Sequence, residues 1–405
     1  MFFPSRCRGS AVDVDPAGLL KAVCEAVARL APKPSEVEAI QFAVMAPAWV
    51  AMDRDGRALT PIVTHQDRRS LEEAREIEAA IGAARHLKIT GNRPFPGGIS
   101  STTLAWFRKN EPARIKAADL IGHLNTFLHR NLTGARVIDP SNASFTGLYE
   151  TMTLAGWSDE LCDFHKIRPD QLPDVLEADR IAGSLTPAAA RKFGLPAGTP
   201  VMAGVMDGSA GMLRAGAVPG RLFNVCGSTD VLALCTDRPG PSKDMLTRAL
   251  GTGRRWLHVS TLAAAASSIY WTRDQFFQGM PIGEFQALVH TLARKGPAAA
   301  GGVTFAPYMA GERTNIDQRT GGFSGITLAT TRENLLAAII EGLIAASAAR
   351  LSVLEKTGTP LLPDVMVSGG ADRLDKIFHR DWPGRWRFRP VTDATMRGLA
   401  MLEPR

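Results

Sequence analysis

A chain of 405 residues has room for two domains of ordinary size, each with its own core. Hydrophobic residues make up 45% and charged residues 21%, a balance that excludes a disordered chain. The formal charge of +7 is scattered, and its short clusters (Arg254-Arg255, Arg385 to Arg389) carry no binding module, so nucleic acid is not an expected partner. The first predicted element is a helix opening at Asp15-Pro16, with Asp as N-cap and Pro in the first turn. Leu19, Leu20, Val23, Val27 and Leu30 supply its apolar face.

Strand-like runs follow at 37–45 and 49–52, then the polar turn Asp53-Arg54-Asp55-Gly56 and a returning strand at 59–63. Ser70 and Glu73 form a capping box for a helix to about Ala84, and 118–131 reads as a second helix. The stretch 157–200 is broken by Pro173, Pro187, Pro196 and Pro200. Strands at 201–206 and 221–226 come next. Pro239-Gly240-Pro241 and Lys295-Gly296-Pro297 mark exposed connections. Thr330 with Glu333 caps a long helix that Gly358 ends, and 364–368 is a strand leading into Gly369-Gly370. Strands and helices alternate throughout, which predicts an α/β fold.

The five cysteines form no C-x-x-C pair and no zinc spacing, so they read as buried thiols of a reducing compartment. No apolar run approaches a membrane span, because 335–346 is interrupted by Glu341. The start, MFFPSRCRGS, has no apolar core of signal-peptide length. A cytoplasmic protein without a membrane partner is expected; no motif speaks for or against a homodimer.

Three strand ends share one design: Asp207 after 201–206, Gly227-Ser228-Thr229 after 221–226, and Gly369-Gly370-Ala371 after 364–368. Glycine after a strand lets backbone amides approach phosphate oxygens. Neighbouring hydroxyls can donate to the same oxygens, and a carboxylate can take a proton from an attacking hydroxyl. These are the parts of phosphoryl transfer. Each part also has an ordinary reading: Gly-Ser-Thr and Gly-Gly occur in plain turns, and Asp207 can simply cap the helix that follows. No Walker loop and no G-x-G-x-x-G motif is present.

The order of these stretches resembles the FGGY carbohydrate kinases, most closely their xylulokinase-like branch, from Asp13 to Leu402. The likeness is carried by DVDPAGLLKAV, DRDGRALTPIVTHQDRR (53–69), SNASFTGLYE (141–150), LPAGTPVMAGVMDGSAGMLRAGA, PYMAGERTNIDQRTGGFSGIT (307–327) and VMVSGGADR. It implies two ribonuclease-H-like domains of the actin and hexokinase superfamily around a cleft, here 1–216 on the sugar side and 217–405 on the ATP side. It implies ATP and Mg2+, with Asp207 as the general base and as a metal-site carboxylate. It implies Gly227, Ser228 and Thr229 at the phosphates, Gly369, Gly370 and Ala371 at adenosine, and Gly311 beside that pocket. Ala46 and Pro47 stand where xylulokinases carry the Met-His of Gln-Met-His-Gly, and His65 where the family usually has Trp. Asp67 and Arg69 keep an Asp-x-Arg pattern that is either a sugar contact or a structural ion pair.

One departure is large. The family begins with three strands and an Asp-x-Gly-Thr phosphate loop, and MFFPSRCRGSAV contains no such motif. The first domain is therefore expected to be N-terminally truncated, with the core of its sheet missing and strand edges left unpaired. The expected activity is ATP-dependent phosphorylation of a small sugar or polyol, a ketose such as xylulose. The alternative is a catalytically weak or inactive kinase remnant acting as a binding or interaction protein.

Overall fold

The computed structural model of the chain describes residues 5–30, 33–369 and 374–404. It divides into two units, the first formed by 1–214, 237–257 and 394–405 and the second by 215–236 and 258–393. The expected division after residue 216 lies next to the first boundary, and two later segments pack with the first unit. Helix Ala394–Leu399 packs on helix Asp207–Arg214, with Gly398 so close to the Ala210 carbonyl that a Cβ there would lie 1.8 Å from its oxygen. Strand Leu246–Ala249 is held by Asn92, whose amide accepts from the Thr247 N–H at 3.0 Å and donates to the Thr247 carbonyl at 2.7 Å.

The larger sheet of the first unit runs Arg6–Arg8, Ala11–Val14, Ile62–Thr64, Ala48–Met52, Leu120–His123. Alternation along one strand separates its two faces. Ala48, Val50 and Met52 join a core with helices Leu124–Leu132 and Pro187–Phe193; Trp49 and Ala51 join another with Leu104 and Phe107 of helix Ser100–Asn110. The residues around Asp13 nevertheless contribute two strands at one edge of this sheet. Residues 6–14 form a hairpin whose second strand pairs antiparallel with Ile62–Thr64, Asp13 opposite Val63.

Other boundaries shift for local reasons. The segment 118–131 starts as a strand, because Leu120–His123 pairs with Ala48–Met52 before the helix begins at Leu124. Helix Leu71–Ile81 stops at Gly82 and restarts at Ala83, and the Ser70 hydroxyl meets Thr102 rather than capping. The long helix is capped by Thr331 with Asn334, one residue later than predicted. The run 201–206 splits into Pro200–Met202 and Val205–Met206 at Gly204, where positive φ (75°) and the Phe42 carbonyl leave no room for a Cβ.

In the second unit a sheet runs from Trp256–Leu262 through Asp230–Thr236, Leu222–Cys226 and Asp364–Gly369 to Arg387–Pro390. The helix Arg332–Glu355 is, by length and composition, apolar enough to cross a membrane, which corrects the reading of 335–346. Its apolar residues, among them Leu336, Ile339, Ile340, Leu343 and Ile344, are buried in the unit's core. Its interrupting Glu341 is paired with Arg380 at 2.7 Å. All five cysteines are free, but only Cys162, Cys226 and Cys235 are buried; Cys7 is exposed on the edge hairpin.

Burial holds several histidines neutral. It draws His379 down to about 4, His123 and His165 to about 3, and lowers His86 and His129. With folded values below the ordinary 6.5, the unfolded chain binds the extra protons. Their stabilising contribution is complete above pH 6.5 and is lost as pH falls towards those folded values. Asp139, raised to about 6 by burial against the opposing hydrogen bonds of Ser141 and Asn142, works the other way and gains below pH 6. The histidines outnumber it. Unfolding free energy is therefore expected to fall between pH 7.5 and pH 5, by about 2 kcal/mol for each of His123 and His165, and to appear as a lower urea midpoint; equal midpoints would contradict the assignment.

Candidate active site

The catalytic candidate is positioned by a short parallel pair. Val205–Met206 runs beside Ala43–Val44, with Val205 opposite Ala43 and Met206 opposite Val44. Both strands end together, so Asp207 emerges at the same end as Ala46 and the buried Pro47. Asp207 opens helix Asp207–Arg214 and is exposed, its carboxylate accepting the Gly208 N–H at 2.6 Å. The contact is with the adjacent N–H at the helix start, and it leaves the acid exposed.

Behind it lies a buried polar cluster that sequence reasoning did not single out. Asp139 caps the turn Pro140–Ala143, accepting from the Ser141 N–H and hydroxyl, the Asn142 N–H and amide, and the Asn125 amide. The Ser141 hydroxyl in turn accepts the Met206 N–H at 3.0 Å, one residue before Asp207. The Asp-Pro pair at 139–140 has the same helix-start signature as Asp15-Pro16 and was legible as a cap; its link to 206 was not. Arg248 is also buried here, lowered to about 10 by its burial against the opposing charge of Asp207.

Asp67 and Arg69 are committed to each other and to the hairpin. Asp67 is fully buried, accepts the Val12 N–H at 2.7 Å, and pairs with Arg69 at 2.8 Å; Arg69 also reaches Asp13 at 3.1 Å and lies over Trp106. That is the geometry of a structural ion pair. His65 is half-buried, and its carbonyl accepts from Arg68 at 2.9 Å. A cavity of about 630 Å3 in this unit is lined by Arg6, Arg8, Arg57 and Arg69 among others, and not by Asp207.

In the second unit, strand Leu222–Cys226 pairs parallel with Asp364–Gly369, Cys226 opposite Gly369, so both glycine turns leave the same end of the sheet. Ligands of parallel sheets gather at such carboxyl ends. Gly227-Ser228-Thr229 forms the tight turn to Asp230–Thr236, closed by the Gly227 N–H donating to the Thr229 carbonyl at 2.8 Å. The Ser228 carbonyl accepts from the Ala265 N–H at 2.9 Å and the Ser267 hydroxyl at 2.8 Å. The turn is thereby seated on the start of helix Ala266–Phe276. Ser228 is exposed.

Gly369 has φ 88°, and a Cβ there would lie 2.2 Å from the Cys226 carbonyl oxygen. Gly369→Ala is therefore expected to destabilise the second unit by at least about 2 kcal/mol, read as a shifted urea midpoint. A wild-type midpoint would show that the turn can relax. Gly370 and Ala371 lie outside the described residues. Gly311 (φ 69°) turns a separate loop closed by its N–H on the Tyr308 carbonyl, with Gln318 filling the space a Cβ would need.

Residues 6–214 match the N-terminal domain, and 222–377 the C-terminal domain, of the FGGY family of carbohydrate kinases. The chain belongs to this family. Its membership makes it a carbohydrate kinase, a phosphotransferase for which ATP is a substrate. It is 28% identical over 343 residues to a xylulose kinase of Escherichia coli, covering 83% of this chain and 68% of that one. It is 28% identical over 354 residues to a gluconokinase of Bacillus subtilis, covering 83% and 67%. The chain thus spans about two thirds of these relatives. The crystal structure of a xylulose kinase from Rhodospirillum rubrum matches with a TM-score of 0.87 at 23% identity, covering 98% of this chain and 83% of that one. That likeness establishes the two-domain FGGY kinase fold for this chain.

Proposed function

We propose that the chain transfers the γ-phosphoryl group of ATP to a hydroxyl of a small sugar or polyol, a ketose such as xylulose, with Asp207 as general base. The observation that carries this reading is the exposed Asp207 carboxylate at the shared end of the parallel pair, beside Ala46-Pro47. In this reading the acceptor hydroxyl gives its proton to Asp207 as its oxygen bonds to the γ-phosphorus. The bond from that phosphorus to the β–γ bridging oxygen breaks, and ADP leaves. Gly227, Ser228 and Thr229 serve the phosphates, with the exposed Ser228 side chain free to face them. The turn at Gly369 and the loop at Gly311 serve adenosine.

Among the described residues no group of three His, Cys, Asp or Glu side chains is arranged to hold a metal. A magnesium ion carried on ATP phosphates needs only one or two protein carboxylates, and Asp207 offers one. The metal neutralises phosphate charge when bound. Free cysteines fit a reducing compartment such as the cytoplasm.

The named relatives, which include xylulose kinases, gluconokinases and a glycerol kinase of Thermococcus kodakarensis, set the test panel. A coupled ADP-release assay with ATP, Mg2+ and D-xylulose, gluconate or glycerol is expected to respond most strongly to the ketose. Turnover led by gluconate or glycerol would replace the ketose. No release with any acceptor, from protein with a cooperative urea transition, would favour the binding remnant over the enzyme.

A further inference from the structure

Strand Leu246–Ala249 returns from the second half of the sequence to lie in the first unit, fixed by Asn92 on Thr247 and by the Ser144 hydroxyl, which accepts the Ala249 N–H at 3.0 Å. Between those anchors stands Arg248, only 4% exposed. Its Nη2 lies against the first turn of the Asp207 helix, 2.7 Å from where a Cβ on Gly208 would be, so glycine is what lets the guanidinium approach. Asp207 is the charge that acts on it, and its Nε has no hydrogen-bond partner among the described residues.

A buried guanidinium costs stability unless it is fully paired, and the opposing charge that acts on this one belongs to the exposed Asp207, in the first turn that its Nη2 lies against. Packing therefore gives a poor account of Arg248, and orientation of the acid a better one. The Gly208 N–H holds one oxygen of Asp207; a rigid cation behind the helix start restricts how the carboxylate can turn.

We propose that Arg248 is a positioning residue that orients the Asp207 carboxylate towards the acceptor hydroxyl. This rests on the reading of Asp207 as the base. It predicts that Arg248 acts on kcat through Asp207 and contributes little to holding ATP.

The test is a double-mutant cycle in the full chain: wild type, Arg248→Met, Asp207→Asn and the double variant, with Arg248→Lys as the charge-preserving control. Each is assayed with ATP, Mg2+ and whichever of D-xylulose, gluconate or glycerol turns over fastest, and each is checked for a cooperative urea transition. Arg248→Met is expected to lower kcat about 10–100-fold while the KM for ATP stays within about twofold. Lys should restore part of the loss, and the double variant should be no slower than Asp207→Asn alone. Unchanged kcat in Arg248→Met, or a double variant slower than Asp207→Asn by the full single-variant factor, would overturn the inference. An active Asp207→Asn, or a wild type without turnover, would instead remove the underlying reading and this role with it.

Discussion

Asp207→Asn is expected to lower kcat by about 10²–10⁴-fold while leaving ATP binding close to wild type. The amide keeps the size of the carboxylate, so the helix start and the Gly208 contact are preserved while the proton acceptor is lost. Asp207 is exposed, but its charge opposes that of the buried Arg248, so the urea transition of the variant is measured beside its turnover and separates a lost base from lost folding. The measurement is steady-state ADP release beside equilibrium ATP binding. An Asp207→Asn protein that turns over at the wild-type rate would remove Asp207 from the mechanism.

Asp230→Ala is the second large effect, here on stability. Asp230 follows the Gly227-Ser228-Thr229 turn and sits opposite Cys226, with its side chain fully buried. It pairs with Arg350 of the long central helix and accepts the Asn224 amide at 2.5 Å; His379 meets Asn224 at 2.8 Å. Arg350 also donates to the Asp230 carbonyl at 2.9 Å and the Ser347 hydroxyl at 3.0 Å. Removing the carboxylate alone leaves a buried guanidinium uncompensated, which costs about 3–5 kcal/mol. Replacing both partners by apolar groups (Asp230→Leu with Arg350→Met) is expected to cost less than the single change. Urea unfolding of the three proteins checks this. A single variant within about 1 kcal/mol of wild type would mean that the pair does not hold the turn.

What could be read in advance depended on how local the cause was. Asp15-Pro16 begins a helix because cap and proline act within one turn, and the Asp15 carboxylate does accept the Gly18 N–H at 2.7 Å. The strand Ala48–Met52 followed from residue type and bounding turns. Where a neighbour decides, reading failed. Leu120–His123 has no alternating pattern to separate it from the helix it enters; it is a strand because Ala48–Met52 offers it a ladder. RCRGSAVDV is poor in strand signals, yet it closes into a hairpin that Asp67 and Arg69 tie to the sheet. The long apolar helix reads alike for a core and a membrane, and only its burial in the second unit distinguishes them.

The same division runs through the candidate site. Residue order alone was enough for the α/β class, the family, and the three strand ends at Asp207, Gly227 and Gly369, because turn chemistry and glycine demands are written in consecutive residues. Ser141 on the Met206 amide, Arg248 behind Asp207, and the return of 237–257 and 394–405 to the first unit join residues tens to hundreds of positions apart. A lone arginine in LTRAL or a serine in DPSN carries no local sign of its partner. Burial made those polar groups find one another, since a buried guanidinium or hydroxyl left without a partner is costly wherever its partner lies in the chain.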